Sequence, residues 1–134
     1  MKKVSLVLTV ALVATLLNLV HPGNATARPQ YFKQFQAHYK DSDVLAAAKK
    51  EKCLTCHFGK KKKDRNDYGK ALSKHLTKKQ FSVIKKNKNV LTEKITEALK
   101  LVEKEKSVSG TLFGKLIEAG KLPGTAPEEA PKEQ

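Results

Sequence analysis

The sequence predicts an all-α domain, and three observations carry that expectation. Apolar residues after Arg28 recur at helical spacing almost throughout, no stretch alternates like a half-buried strand, and residues suited to helix ends stand where the periodic segments start and stop. No internal repeat is visible.

Residues 1–27 are read apart from that domain. Lys2 and Lys3 form a short basic start, Val4 to Val20 is an apolar run, and "HPGNATA" closes on the small-x-small triplet Ala25-Thr26-Ala27. This is the pattern of an export signal removed before Arg28, which sends the chain to the periplasm. An uncleaved membrane anchor is the other reading, but the run is short for a bilayer and lacks a basic stop-transfer flank. Residues 28–124 then suit one small domain with a modest core. "TAPEEAPKEQ", residues 125–134, lacks apolar anchors and reads as a disordered tail.

Within the domain, Pro29 suits the first turn of a helix whose Tyr31, Phe35 and His38, with Phe32 and Tyr39 beside them, make an aromatic face. Asp41 or Ser42 is placed to cap a second helix from Asp43. In that helix "VLAAAKKEK" runs straight into Cys53-Leu54-Thr55-Cys56-His57, and Gly59 suits the position past its end. "KKKKDR", Lys60 to Arg65, reads as a solvated loop. Asn66 then caps "DYGKALSKHL", in which Tyr68, Leu72, His75 and Leu76 share one face.

Thr77 and Gln80 fit a capping box for a helix carrying Phe81 and Ile84, and Asn87-Lys88-Asn89 interrupts it. A further helix is expected after Thr92, with Ile95, Ala98, Leu99 and Val102 on its apolar side. A last one carries Leu112, Phe113, Leu116 and Ile117 and is ended by Gly120 and Pro123.

Charge narrows the partners. The chain carries 27 basic and 13 acidic side chains, a net charge of +14, which attracts acidic proteins, anionic lipid or nucleic acid. Nucleic acid is set aside, because the chain is exported and no aromatic residues interleave the lysines as a base-stacking platform. Acidic redox proteins are the expected partners, with peripheral membrane contact open, no span after signal cleavage, and a monomer as the expected state.

The chemistry gathers at Cys-x-x-Cys-His. Attaching a c-type haem takes two thiols spaced for two vinyl groups of one porphyrin and an imidazole directly after them for the iron, and Cys53, Cys56 and His57 meet that need on a helical turn. Three other readings share the spacing. A thioredoxin-like dithiol belongs at a strand-to-helix junction, which this pattern lacks. Zinc takes four ligands, yet beyond these two cysteines the domain offers only His38, His57 and His75, without finger spacing. A Cys53–Cys56 disulfide would close a very small loop and stabilise little. The domain has eight aromatics and no Trp, a thin apolar supply that a porphyrin would supplement, so a loosely folded apoprotein is expected.

"KKEKCLTCHFGKKKKDRNDYGKAL" resembles the haem-binding segment of small exported bacterial c-type cytochromes, where a Gly-Lys-rich loop and an Asn-x-Tyr-Gly helix start follow the attachment motif; "FGKLIEAGKLPG" adds a weaker likeness. The resemblance implies a small cytochrome c-like helical domain wrapped around one covalently attached haem. It implies a monohaem electron carrier without substrate chemistry of its own, with Cys53 and Cys56 as thioether attachments and His57 as proximal iron ligand.

One departure matters: the only methionine is Met1, so a His/Met axial pair cannot form. His75 is the first candidate for the distal position because it shares the face of Tyr68, Leu72 and Leu76, and His38 on the aromatic face is the second. An open position would instead suit a gas sensor or weak peroxidase. Arg65 and Tyr68 are candidate haem-propionate contacts, with Lys70 or Lys74 as substitutes, and Phe58 is expected to pack on the porphyrin or a neighbouring helix. Lys60 to Lys63 would form a basic rim steering an acidic partner to the exposed edge.

Overall fold

The computed structural model describes residues 28–126. The expected export signal and nearly all of the expected tail lie outside the described residues. The order of elements is α1 (Pro29–His38), α2 (Val44–Glu51), a 3-10 turn (Lys52–Thr55), β1 (His57–Phe58), β2 (Asp64–Arg65), α3 (Asp67–His75), α4 (Lys78–Ile84), α5 (Lys88–Val102) and α6 (Phe113–Glu118). The domain is mostly helical. Among the described residues no helix is long and apolar enough to cross a membrane.

Helix ends follow from the residues at them. Pro29 occupies the first turn of α1, where its missing N–H costs nothing. Asn66 Oδ1 accepts the Gly69 amide at 2.9 Å to cap α3. Thr77 and Gln80 close the anticipated capping box of α4. Asn87 does more than interrupt: its side chain accepts the Val90 amide and starts α5 at Lys88, one turn before the expected start near Thr92. At α2 the N-cap is Asp43 rather than Asp41 or Ser42, and it makes no side-chain cap bond.

Two further expectations need correction. The second helix does not carry the cysteines; it stops at Glu51, where Lys52 takes a positive φ of 52°, and the chain tightens into the 3-10 turn. "KKKKDR" is not a plain loop either. His57 pairs with Arg65 and Phe58 with Asp64 in a short antiparallel hairpin, its turn closed by Lys62 N–H donating to the Gly59 carbonyl at 3.1 Å. Gly59 at φ 72° belongs to that turn and not to a helix end.

The core lies where α1, α3 and α4 pack on α5. Phe35, Val44, Tyr68, Ile95, Leu99, Val102 and Phe113 are fully buried in it. Tyr68 stands edge-on to Phe35 and Phe113, with centroids at 6.1 and 5.3 Å, and Phe35 tilts against Tyr39 at 4.6 Å, arrangements that aromatic quadrupoles favour. Five of the eight aromatics, Phe35, Tyr39, Tyr68, Phe81 and Phe113, are buried in this core.

Candidate functional site

Cys53 lies in the 3-10 turn and Cys56 is the residue that ends it, with Cys56 N–H donating to the Cys53 carbonyl at 3.2 Å. Both thiols are unbridged; Cys53 is exposed and Cys56 half-buried. Burial pushes the Cys56 thiol up to about 12; neighbouring Cys53 adds to that rise and Arg65 opposes it.

His57 follows in β1, and the hairpin fixes its ring. Nδ1 lies 3.1 Å from the Asp64 carbonyl oxygen, which can only accept, so Nδ1 carries the proton and donates it. Burial holds the imidazole pKa below its usual value; the Asp64 carbonyl pulls the other way, and Arg65 adds to the lowering. A neutral ring protonated at Nδ1 leaves the Nε2 lone pair free, the arrangement in which a histidine ligates a metal while its other nitrogen is held by a carbonyl.

Asn66 organises the turn from beneath. It is 2% exposed, and its Nδ2 donates to the Leu54 and Thr55 carbonyls, each at 3.2 Å. Its backbone N–H donates to the Cys56 carbonyl at 3.2 Å, and its Oδ1 caps α3. All three carbonyls from Leu54, Thr55 and Cys56 are thereby engaged by one residue. Gly69, one turn into α3, passes directly against Cys56. Over Asn66 lies Gly124, where a β-carbon would stand 2.0 Å from Asn66 Nδ2. Pro123 beside it is fully buried, and Thr125 N–H donates to Asp67 Oδ1 at 2.6 Å. The two sequence segments that carry the resemblance therefore meet at Asn66, which the sequence marked only as a helix cap.

Around the thiols the structure assembles a face that the sequence did not indicate. Tyr31 donates to the Leu76 carbonyl at 3.1 Å and stacks on Phe81 at 5.6 Å. Arg28 stands 4.6 Å over that Phe81 ring. Burial raises the Tyr31 phenol; Arg28 and Arg65, both close enough for their charges to act on it, pull it back, and Cys56 acts on it too. Both guanidinium groups thus act on Tyr31, and Arg65 acts on the Cys56 thiol as well. Arg65 was legible from its position after the lysines; Arg28 was not, because nothing in the sequence says that the start of α1 reaches the turn. Phe58 is half-buried in β1.

The remaining expected site residues are placed elsewhere. Tyr68 is 0% exposed, and its hydroxyl, next to that of Tyr39, makes no hydrogen bond of acceptable geometry. It is a core residue whose hydroxyl is closed off from solvent. Thr55 Oγ1 is likewise buried without a partner among the described residues.

His75 lies six residues beyond Gly69, about 9 Å further along α3 at 1.5 Å per residue. Its Nε2 is engaged by Glu105, which also takes Lys74 at 3.3 Å. His38 stacks edge-on to Tyr39 and has Nε2 3.4 Å from Glu103 Oε1, the same oxygen that accepts the Tyr39 hydroxyl at 2.7 Å. Each candidate distal imidazole thus already has a carboxylate partner. Glu103 and Glu105 follow α5 as ordinary surface-type acids, and no sequence signal pairs them with histidines so far upstream.

Among the described residues no three His, Cys, Asp or Glu side chains converge as a metal cluster, so the donor set for zinc is not assembled at the cysteines. No known protein family, curated protein or solved structure matches this chain.

Proposed function

We propose that the chain is an exported monohaem c-type cytochrome that carries single electrons between periplasmic partners and has no substrate chemistry of its own. Cys53 and Cys56 would form the two thioether bonds and His57 Nε2 would hold the iron. The observation that carries this reading is the His57–Asp64 hydrogen bond: it fixes the tautomer and leaves the Nε2 lone pair free on the residue that follows two unbridged thiols in the chain. Arg28 and Arg65, whose charges both act on the Tyr31 phenol, would be the guanidiniums able to meet the haem propionates. Bound haem supplies one-electron chemistry at its iron. The four exposed lysines of the hairpin, Lys60 to Lys63, give the adjoining rim the charge to steer an acidic redox partner.

A second reading is favoured by the placement of His38 and His75. With both imidazoles held by Glu103 and Glu105, the distal side of the iron would have no histidine ready to fill it, and an open position suits a gas sensor or a weak peroxidase. One experiment separates the readings: expression with cytochrome c maturation machinery, followed by mass spectrometry and visible spectra with and without CO. One added haem on the Cys53–Cys56 peptide with low-spin bands indifferent to CO supports the carrier. High-spin bands that shift with CO support the sensor, and a peptide without haem mass removes both.

A further inference from the structure

The most cationic helix of the domain is unaccounted for by the cysteine site. Residues 77–89, "TKKQFSVIKKNKN", contain five lysines and no acid. Lys78, Lys79, Lys85, Lys86 and Lys88 are all exposed, and none has an acidic partner among the described residues. Further along α5, Glu97 is already taken by Lys94 at 2.7 Å.

Helical phase sorts these residues. Phe81 and Ile84 turn inward, Phe81 being 7% exposed. The opposite stripe of α4 and its following turn then reads Lys79, Val83, Lys86, at i−4, i and i+3. Val83 is 76% exposed, well beyond Val108 at 52%, Leu101 at 41% or Leu112 at 37%. An apolar side chain standing proud between two unpaired lysines suits a boundary where headgroups are anionic and acyl chains lie beneath.

We infer that this outer face of α4 docks the protein on an anionic lipid surface, the lysines against phosphate headgroups and Val83 among the first methylenes. An acidic protein fits the patch less well. The face is a convex helix carrying only Lys, Ser, Asn, Gln and Val, without the Arg, Tyr or Trp anchors on which protein interfaces depend. Lysines suit laterally mobile headgroups because each acts as a compact point charge. The tetralysine hairpin has the charge but no protruding apolar side chain, so it is the internal control. The inference rests on no part of the haem reading, and vesicle binding can be measured with or without haem attached.

The test is co-sedimentation with vesicles of phosphatidylcholine containing about 30% phosphatidylglycerol, against pure phosphatidylcholine, at about 0.1 M salt. Binding is expected to the anionic vesicles alone. The variant Lys78→Gln/Lys79→Gln/Lys85→Gln/Lys86→Gln should weaken it by about six hundredfold, about fivefold per lysine. Lys60→Gln/Lys61→Gln/Lys62→Gln/Lys63→Gln should change it by less than about threefold.

The chain has no Trp, so Val83→Trp provides a single fluorophore whose emission maximum should move to the blue on anionic vesicles only. All of these positions are exposed, and far-UV circular dichroism checks that the variants fold. Equal losses from the two lysine clusters, an unmoved emission maximum, or retention on immobilised polyglutamate without vesicle binding would each overturn the inference, the last by making the patch a protein-docking surface.

Discussion

Gly69 runs so close to the cysteine turn that a β-carbon on it would stand 2.1 Å from the Cys56 carbonyl oxygen. That oxygen is backbone, held by the Asn66 N–H, and cannot swing aside. Gly69→Ala is therefore expected to push α3 off the turn and cost about 3 kcal/mol, at or above the upper end of ordinary overpacking. Urea unfolding of the haem-free chain measures it, and a loss below about 1 kcal/mol would mean that the two segments are not clamped.

Tyr68 carries a buried hydroxyl without a hydrogen bond, surrounded by Phe35, Tyr39 and Phe113. Removing an unsatisfied polar atom while keeping the ring should be neutral or stabilising by up to about 1 kcal/mol. Tyr68→Phe is thus expected to raise the melting temperature slightly, as read by thermal unfolding. A fall in melting temperature would mean that the hydroxyl has a partner.

Glu105 supplies a pH dependence. Burial would raise its pKa, but the bonds from His75 and Lys74 outweigh that and hold it below its usual 4.5. A depressed carboxylate contributes stability that is present above the usual value and is lost as pH falls through the folded one. The melting-temperature gap between the native chain and Glu105→Gln should accordingly be open at about pH 5 and close as acid is added. A gap that widened in acid would reverse the assignment.

The two thiols should separate kinetically in the haem-free protein. With its pKa near 12, Cys56 at pH 8 is thiolate in roughly one molecule in ten thousand, and it is half-buried besides. Iodoacetamide is expected to label exposed Cys53 at least about tenfold faster, as read by peptide mass spectrometry, with the difference vanishing in urea. Equal rates in the folded state would show that the turn is open.

Much of the fold could be read from local chemistry. The caps at Asn66 and Thr77, the first-turn Pro29 and the apolar face of Tyr68, Leu72 and Leu76 are short-range features, set by residues within one or two turns. The hairpin at His57–Arg65 escaped because two-residue strands are too short for alternation to register. The site divides the same way. Cys53, Cys56 and His57 are adjacent in the chain and so were visible together. Arg28 over Phe81, Glu103 beside His38 and Gly124 over Asn66 are encounters between distant segments, and no spacing rule reports them.

The seal that Pro123 and Gly124 place over Asn66 also bears on the order in which the domain closes. The cysteine turn is synthesised well before those residues, and a contact of such high sequence separation is expected to close late. Until it does, the underside of the turn is uncovered and the backbone around Cys53 and Cys56 has fewer partners to hold it.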